Sequence, residues 1–310
     1  MILPEENYFL DRWKSDLNKP VVSICCTTYN HEKYIEDTII GFLIQETNFP
    51  FEILIHDDAS TDNTANIIKK YENKYPNIIK VIYQKENQFS KGNKPLITLY
   101  SLCKGDYIAV CEGDDYWCDS QKLAIQVNYL KKNQSVVISS HDAKIIDSQG
   151  KVINKSKLPL DQQRDFSAEE LIIGKAWILT LNWVMRKVDI HEIPELRKVK
   201  NGDTFFISVL GNYGGSHYHD DIKPSAYRVH GGGVWSSIND NEKTDAQINT
   251  WFWIYKYYNR INKDKYAKIW WKKFSYSVLL KSTFSELCTS FSYIVLSKFL
   301  KLLKRKKNQY

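Results

Sequence analysis

GDYIAVCEGDDYW, residues 105–117, contains an apolar run that reads as a buried strand, and three carboxylates within four residues where the run stops. Acids this close repel one another, and at least one keeps its proton unless a cation joins them. On this stretch alone two readings compete. One is a solvated acidic turn before a helix, with Asp119 or Ser120 as N-cap. The other is a metal site.

The surrounding sequence sets the context. VVSICCTT (21–28), FEILIH (51–56), IIKVIYQ (78–84) and VVISSHDAKII (136–146) read as further strands, the last as one continuous element. Helical spacing covers 33–46, 64–75, 94–103 and 122–133. Strands alternating with helices of this length predict a mostly parallel sheet covered on both faces, an α/β domain. Ligands of such sheets bind beyond the carboxyl ends of the strands. YNH (29–31), HDDASTD (56–62) and CEGDDYW (111–117) each follow a strand, so they are expected at one rim. That rim would gather Asp57, Asp58, Glu112, Asp114 and Asp115.

Oxygen ligands with few sulfurs or imidazoles favour a hard cation, Mg²⁺ or Mn²⁺, which completes its shell with water and substrate phosphates. The expected ligand is therefore a nucleotide or another phosphorylated molecule. The first strand is followed by TTYNHEK, without the Gly-x-Gly-x-x-Gly of a dinucleotide site, and the P-loop pattern is absent. The late glycine cluster HGGGVW (230–235) follows YRVH, where Arg228, His230 and backbone N–H groups could face an anion.

Composition narrows the class. The 310 residues are 43% hydrophobic and 25% charged, which excludes a disordered chain. The first twenty residues carry charges throughout and do not read as a signal peptide. Six cysteines without C-x-x-C spacing suggest a reducing, cytoplasmic setting and no structural zinc. The net charge of +7 is unevenly spread: residues 256–310 hold 14 Lys/Arg against 2 Asp/Glu, and residues 1–255 hold 29 against 34. A basic tail suits nucleic acid or an anionic membrane surface. Its longest uncharged stretch, LCTSFSYIVLS, has 11 residues and is too short to span a bilayer. Phe291, Ile294, Val295, Phe299, Leu302 and Leu303 follow helical spacing among lysines. They predict a helix at a membrane interface, on the catalytic domain, or in a homodimer.

In this order and spacing, VSICCTTYN, EILIHDDASTDNT, GDYIAVCEGDDYW, NGDTFFISVL and YRVHGGGVWS resemble the family 2 glycosyltransferases, which have the nucleotide-diphospho-sugar-binding GT-A fold. The resemblance implies a GT-A domain over 21–238, between an N-terminal extension (1–20) and an aromatic, basic helical extension (239–310). It places Thr27, Tyr29, Asp57, Asp58, Glu112 and Asp114 at the donor nucleotide, with Glu112-Gly113-Asp114 in the Asp-x-Asp position. Asp114 would be the metal ligand, joined by His230, and Asp203 the catalytic base. Arg228 and His230 would close on the diphosphate, and Trp235 would cap the sugar.

The implied reaction is an inverting, metal-dependent transfer from a nucleotide-sugar, UDP-linked by family habit. The acceptor would be a glycan or lipid-linked hydroxyl in surface-polysaccharide synthesis, at the inner face of the plasma membrane. His31 and His56 read as structural. The rivals are a non-catalytic binding protein of the same fold and a nucleic-acid-binding protein. No nucleic-acid motif supports the latter.

Overall fold

The structure, a computed structural model, describes residues 3–13, 19–190, 193–233 and 238–281. Seven strands form the main sheet in the order β3-β2-β1-β4-β8-β5-β9. They are β1 (Val22–Thr28), β2 (Phe51–Asp57), β3 (Ile79–Tyr83), β4 (Tyr107–Val110), β5 (Val136–His141), β8 (Val184–Arg186) and β9 (Gly215–His219). β8 runs antiparallel to both neighbours, and the other pairings are parallel. A second sheet, β10-β6-β7, is made of β6 (Ala143–Ile146), β7 (Val152–Asn154) and β10 (Ser225–Arg228).

Helices cover both faces, which is why the strands read as unbroken apolar runs. Val22, Ile24 and Cys26 point into one core with α2 (Ile35–Leu43) and α3 (Thr64–Lys74). Cys25 points into the other, with α4 (Pro95–Leu102) and α7 (Gly202–Leu210). α5 (Lys122–Lys132) follows the acidic turn, and the short α6 (Ala168–Ile172) packs on α7.

VVISSHDAKII is two strands. The chain leaves the main sheet at His141 and enters the small one at Ala143. The reason is Asp142, whose buried carboxylate accepts the N–H groups of Ala143, Lys157 and Leu158 and so turns the backbone. Continuous apolarity hides such a break.

Neither flank is detached. α1 (Glu6–Arg12) docks Phe9, and Trp13 follows, against Phe51 and Tyr75. Burying aromatics of this size is worth ~1.5–3 kcal/mol each or more. α8 (Asp240–Arg260) and α9 (Asp264–Lys281) bury Ile254, Tyr257, Tyr258, Ala267 and Trp270 in the second core. α8 also supports α7: Thr250 Oγ1 accepts the N–H of Asn201, and Asn249 Oδ1 that of Lys200. The sequence-predicted helix over 291–303 lies outside the described residues. Among the described residues no helix is long and apolar enough to cross a membrane.

Candidate active site

Residues after β1, β2 and β4 meet at one rim. Cys111 N–H bonds Cys25 O and Gly113 N–H bonds Thr27 O, so the acidic turn runs on beside β1. Gly113 is required there. A Cβ would stand 2.5 Å from Thr28 Oγ1 and 3.1 Å from His31 Nδ1. The turn is fixed from below by Trp117, whose indole N–H bonds Leu181 O at 2.6 Å and whose ring lies 4.1 Å from Lys122 Nζ. Thr38 on α2 donates to Asp115 O at 2.7 Å.

Asp114 sits between two histidines. Its Oδ2 is 2.9 Å from His230 Nε2 and 3.9 Å from His31 Nε2, and the three side chains offer ligand atoms within 4.8 Å of one another. The sequence reads His31 as structural; the structure brings its ring to Asp114 and His230. Its Nδ1 lies 3.1 Å from Thr28 Oγ1. With Nδ1–H donating to that hydroxyl, Nε2 keeps a lone pair toward Asp114, the arrangement that holds imidazole ligands in place. The signal was available in YNH, directly after a strand at the ligand-binding rim. Two imidazoles and a carboxylate suit a divalent cation.

The carboxylates differ in charge state. Burial raises Asp114, but the His230 hydrogen bond and the two neighbouring imidazoles outweigh it and hold the group below its ordinary value. Burial, then the charges of Asp114 and Asp203, pushes Glu112 up to about 7. Asp115 is also raised, first by burial and then by Asp114 and Glu112; its Oδ1 accepts Arg228 N–H at 2.7 Å. Burial lowers His31, partly offset by Asp114. The rim therefore answers its crowding in two ways, with imidazoles beside Asp114 and a raised proton affinity on Glu112 and Asp115.

Asp203 occupies the first turn of α7, where its Oδ1 accepts the N–H of Thr204 at 2.8 Å. Its charge contributes to the raised value of Glu112. Burial raises its carboxyl, against Thr204 N–H and the charge of Lys94. Lys94, half-buried before α4, was not singled out in the sequence because an isolated loop lysine carries no pattern.

The remaining site residues separate. Tyr29 is exposed at the rim and Thr27 half-buried beneath it. Asp57 accepts Ser60 N–H and hydroxyl, while burial raises its carboxyl. Asp58 accepts Gln88 N–H at 2.7 Å and Phe89 N–H at 2.9 Å, so its oxygens shape the 84–93 loop. His56 is buried against the Gln84 amide. His217 and His219 pair with separate acids, Asp165 and Asp221.

Arg228 does not reach into the site. Its side chain is buried, Nε bonds Asp114 O at 3.0 Å, an Nη bonds Asp37 Oδ2 at 3.0 Å, and the guanidinium lies 4.5 Å from the Tyr34 ring centre. The expected diphosphate contact is thus an internal brace under the acidic turn. A lone Arg in the sequence cannot distinguish the two roles. Trp235 lies outside the described residues.

Comparison with known proteins identifies the family and the fold. An uncharacterized protein of Mycobacterium tuberculosis is 34% identical over 224 residues, 72% of this chain, which spans 63% of that relative's length. The putative teichuronic acid biosynthesis glycosyltransferase TuaG of Bacillus subtilis is 30% identical over 79% of this chain and 90% of its own. Among solved structures, S. aureus TarS 1–349 in complex with UDP-GlcNAc superposes with a TM-score of 0.59 at 19% identity, covering 86% of this chain and 77% of that one. That likeness identifies the fold as GT-A. The family model described as glycosyl transferase family 2 matches residues 23–180, and the chain belongs to that family.

Proposed function

We propose that this chain transfers a sugar from a nucleotide-diphospho-sugar, a UDP-sugar first, to a hydroxyl of a glycan or lipid-linked acceptor in surface-polysaccharide synthesis, with inversion at the anomeric carbon. The observation that carries the reading is the His31–Asp114–His230 group, with Asp203 as a separate acid at the start of α7. The UDP-GlcNAc complex of TarS and the teichuronic acid assignment of TuaG support the donor and the product class.

Asp203 receives the proton of the attacking hydroxyl. Its burial makes it a stronger base than an ordinary aspartate, and a positioned base contributes ~10²–10⁴-fold. Glu112, poised about neutrality, offers a hydrogen-bond donor below pH 7 and an acceptor above it. Asp114, held ionised, would bind the divalent cation with His31 and His230. Two imidazoles favour Mn²⁺ over Mg²⁺. The ion would neutralise charge on the diphosphate leaving group. Arg228 keeps the acidic turn in register.

α9 carries exposed lysines at 265, 268, 272 and 281 beside exposed Trp271, Tyr276, Leu279 and Leu280, which supports a seat on an anionic membrane surface at its cytoplasmic side. Co-sedimentation with phosphatidylglycerol vesicles, absent with phosphatidylcholine, tests it. The transfer reading is tested by Asp203→Asn. UDP release with Mn²⁺ and a glycan acceptor should fall ~10²–10⁴-fold in kcat while UDP binding persists. Unchanged turnover would reject Asp203 as the base.

A further inference from the structure

One cation beside the site has no assigned task. Lys157 follows β7, with its N–H bonded to Ala143 O at 2.7 Å. Its Nζ stands 3.5 Å from the centre of the Tyr227 ring and 5.9 Å from that of Trp177. It joins none of the ion pairs found among the described residues; Asp115 and Asp142 act on it only at longer range.

Tyr227 is fixed at the wall of the site by its neighbours. Ala226 exchanges two backbone hydrogen bonds with Tyr116, at 2.8 and 3.1 Å, and Arg228 N–H bonds Asp115. The backbone of Tyr227 therefore borders the acidic turn. Trp177, also within reach of Lys157, is 47% exposed, and its backbone N–H is held by Gln162 Oε1 at 2.9 Å. Lys157 thus faces both Tyr227, next to the acidic turn, and Trp177.

An exposed indole is a surface on which the apolar face of a sugar ring can lie. A half-buried ammonium has lost part of its hydration. Two aromatic faces return only ~0.5–2 kcal/mol of that. A phosphate or carboxylate returns more, through charge-assisted hydrogen bonds.

We propose that Lys157, held between Tyr227 and Trp177, selects an acceptor bearing a negative charge, a sugar phosphate or a uronate, close to the hydroxyl that receives the sugar. The inference rests on the transferase reading above. The test compares octyl β-glucoside, its 6-phosphate and octyl β-glucuronide as acceptors for the full chain with UDP-sugar and Mn²⁺. Titration of UDP with Mn²⁺ runs beside it.

The charged acceptors should be preferred at least tenfold in kcat/KM, and the phosphate and uronate arms show which anion is meant. Lys157→Met should erase the preference through acceptor KM, and Lys157→Arg should restore most of it. Equal use of the three acceptors, or use of none while UDP and Mn²⁺ still bind, overturns the selection. So does a Lys157→Met defect confined to donor KM. Failure of UDP to bind at all overturns the transferase reading instead.

Discussion

Replacing Glu112 by Gln should stabilise the metal-free protein at alkaline pH and leave it unchanged in acid. Glu112 ordinarily titrates at 4.5 and in the fold at about 7. Below 4.5 the folded and unfolded chains both hold the proton, so the side chain costs nothing. Between 4.5 and 7 the unfolded chain releases it while the folded chain keeps it, and stability falls as pH rises. Above 7 both are ionised and the penalty is constant. At 1.36 kcal/mol per tenfold it amounts to about 3 kcal/mol.

Gln has the same shape and no charge, so the gain should be near zero at pH 4 and about 3 kcal/mol at pH 8. For a chain of this size that is ~4–5 °C in Tm. The assay is thermal unfolding of both proteins in EDTA from pH 4 to 8.5. A Tm difference independent of pH, or a variant less stable at pH 8, would refute the argument that buried like charges are retained here. Adding Mn²⁺ should shrink the gain, because a cation beside Asp114 removes the repulsion that Gln removes by substitution.

Thr28→Val deletes the hydroxyl facing His31 Nδ1 and should weaken Mn²⁺ affinity ~10–100-fold, measured by calorimetry with UDP present. Gly113→Ala forces a methyl group into Thr28, and should lower the unfolding free energy by ~1–3 kcal/mol in a denaturant titration and abolish stabilisation by Mn²⁺. Ala59 sits at φ 64°, a left-handed conformation costly for alanine, so Ala59→Gly should raise stability by ~1 kcal/mol. Arg228→Met should reduce stability by ~1–3 kcal/mol through the lost bonds to Asp114 O and Asp37, with the defect visible in Tm without any nucleotide. Activity should fall as pH drops through the raised value of Asp203, and this limb should disappear from the residual rate of Asp203→Asn.

The alternation of strands and helices was legible because both faces of the main sheet are covered, so each strand announces itself as a continuous apolar run. The rim was legible for the same reason: topology alone brings the residues after β1, β2 and β4 together. The break at Asp142 was not, since one buried acid turning the chain leaves the surrounding apolar pattern intact. Arg228 was misplaced because its partners, Asp37 and the carbonyl of Asp114, lie 191 and 114 residues away in the chain. His31 was undervalued because nothing in YNH says which way its ring turns; that depends on Thr28, three residues earlier. Lys94 and Lys157 belong to the same class, cations whose meaning lies in what surrounds them.

The acidic turn and β10 are fastened by the Tyr116–Ala226 bridge and by Arg228, so Asp114 and His230 ride on one rigid piece. His31 belongs to the same body: it follows β1, along which the acidic turn is hydrogen-bonded, and its backbone N–H is held by Thr64 Oγ1 at the start of α3. A graft of the three side chains onto another scaffold would therefore have to bring β1, the acidic turn and β10 together, since no one of these segments carries more than one of them.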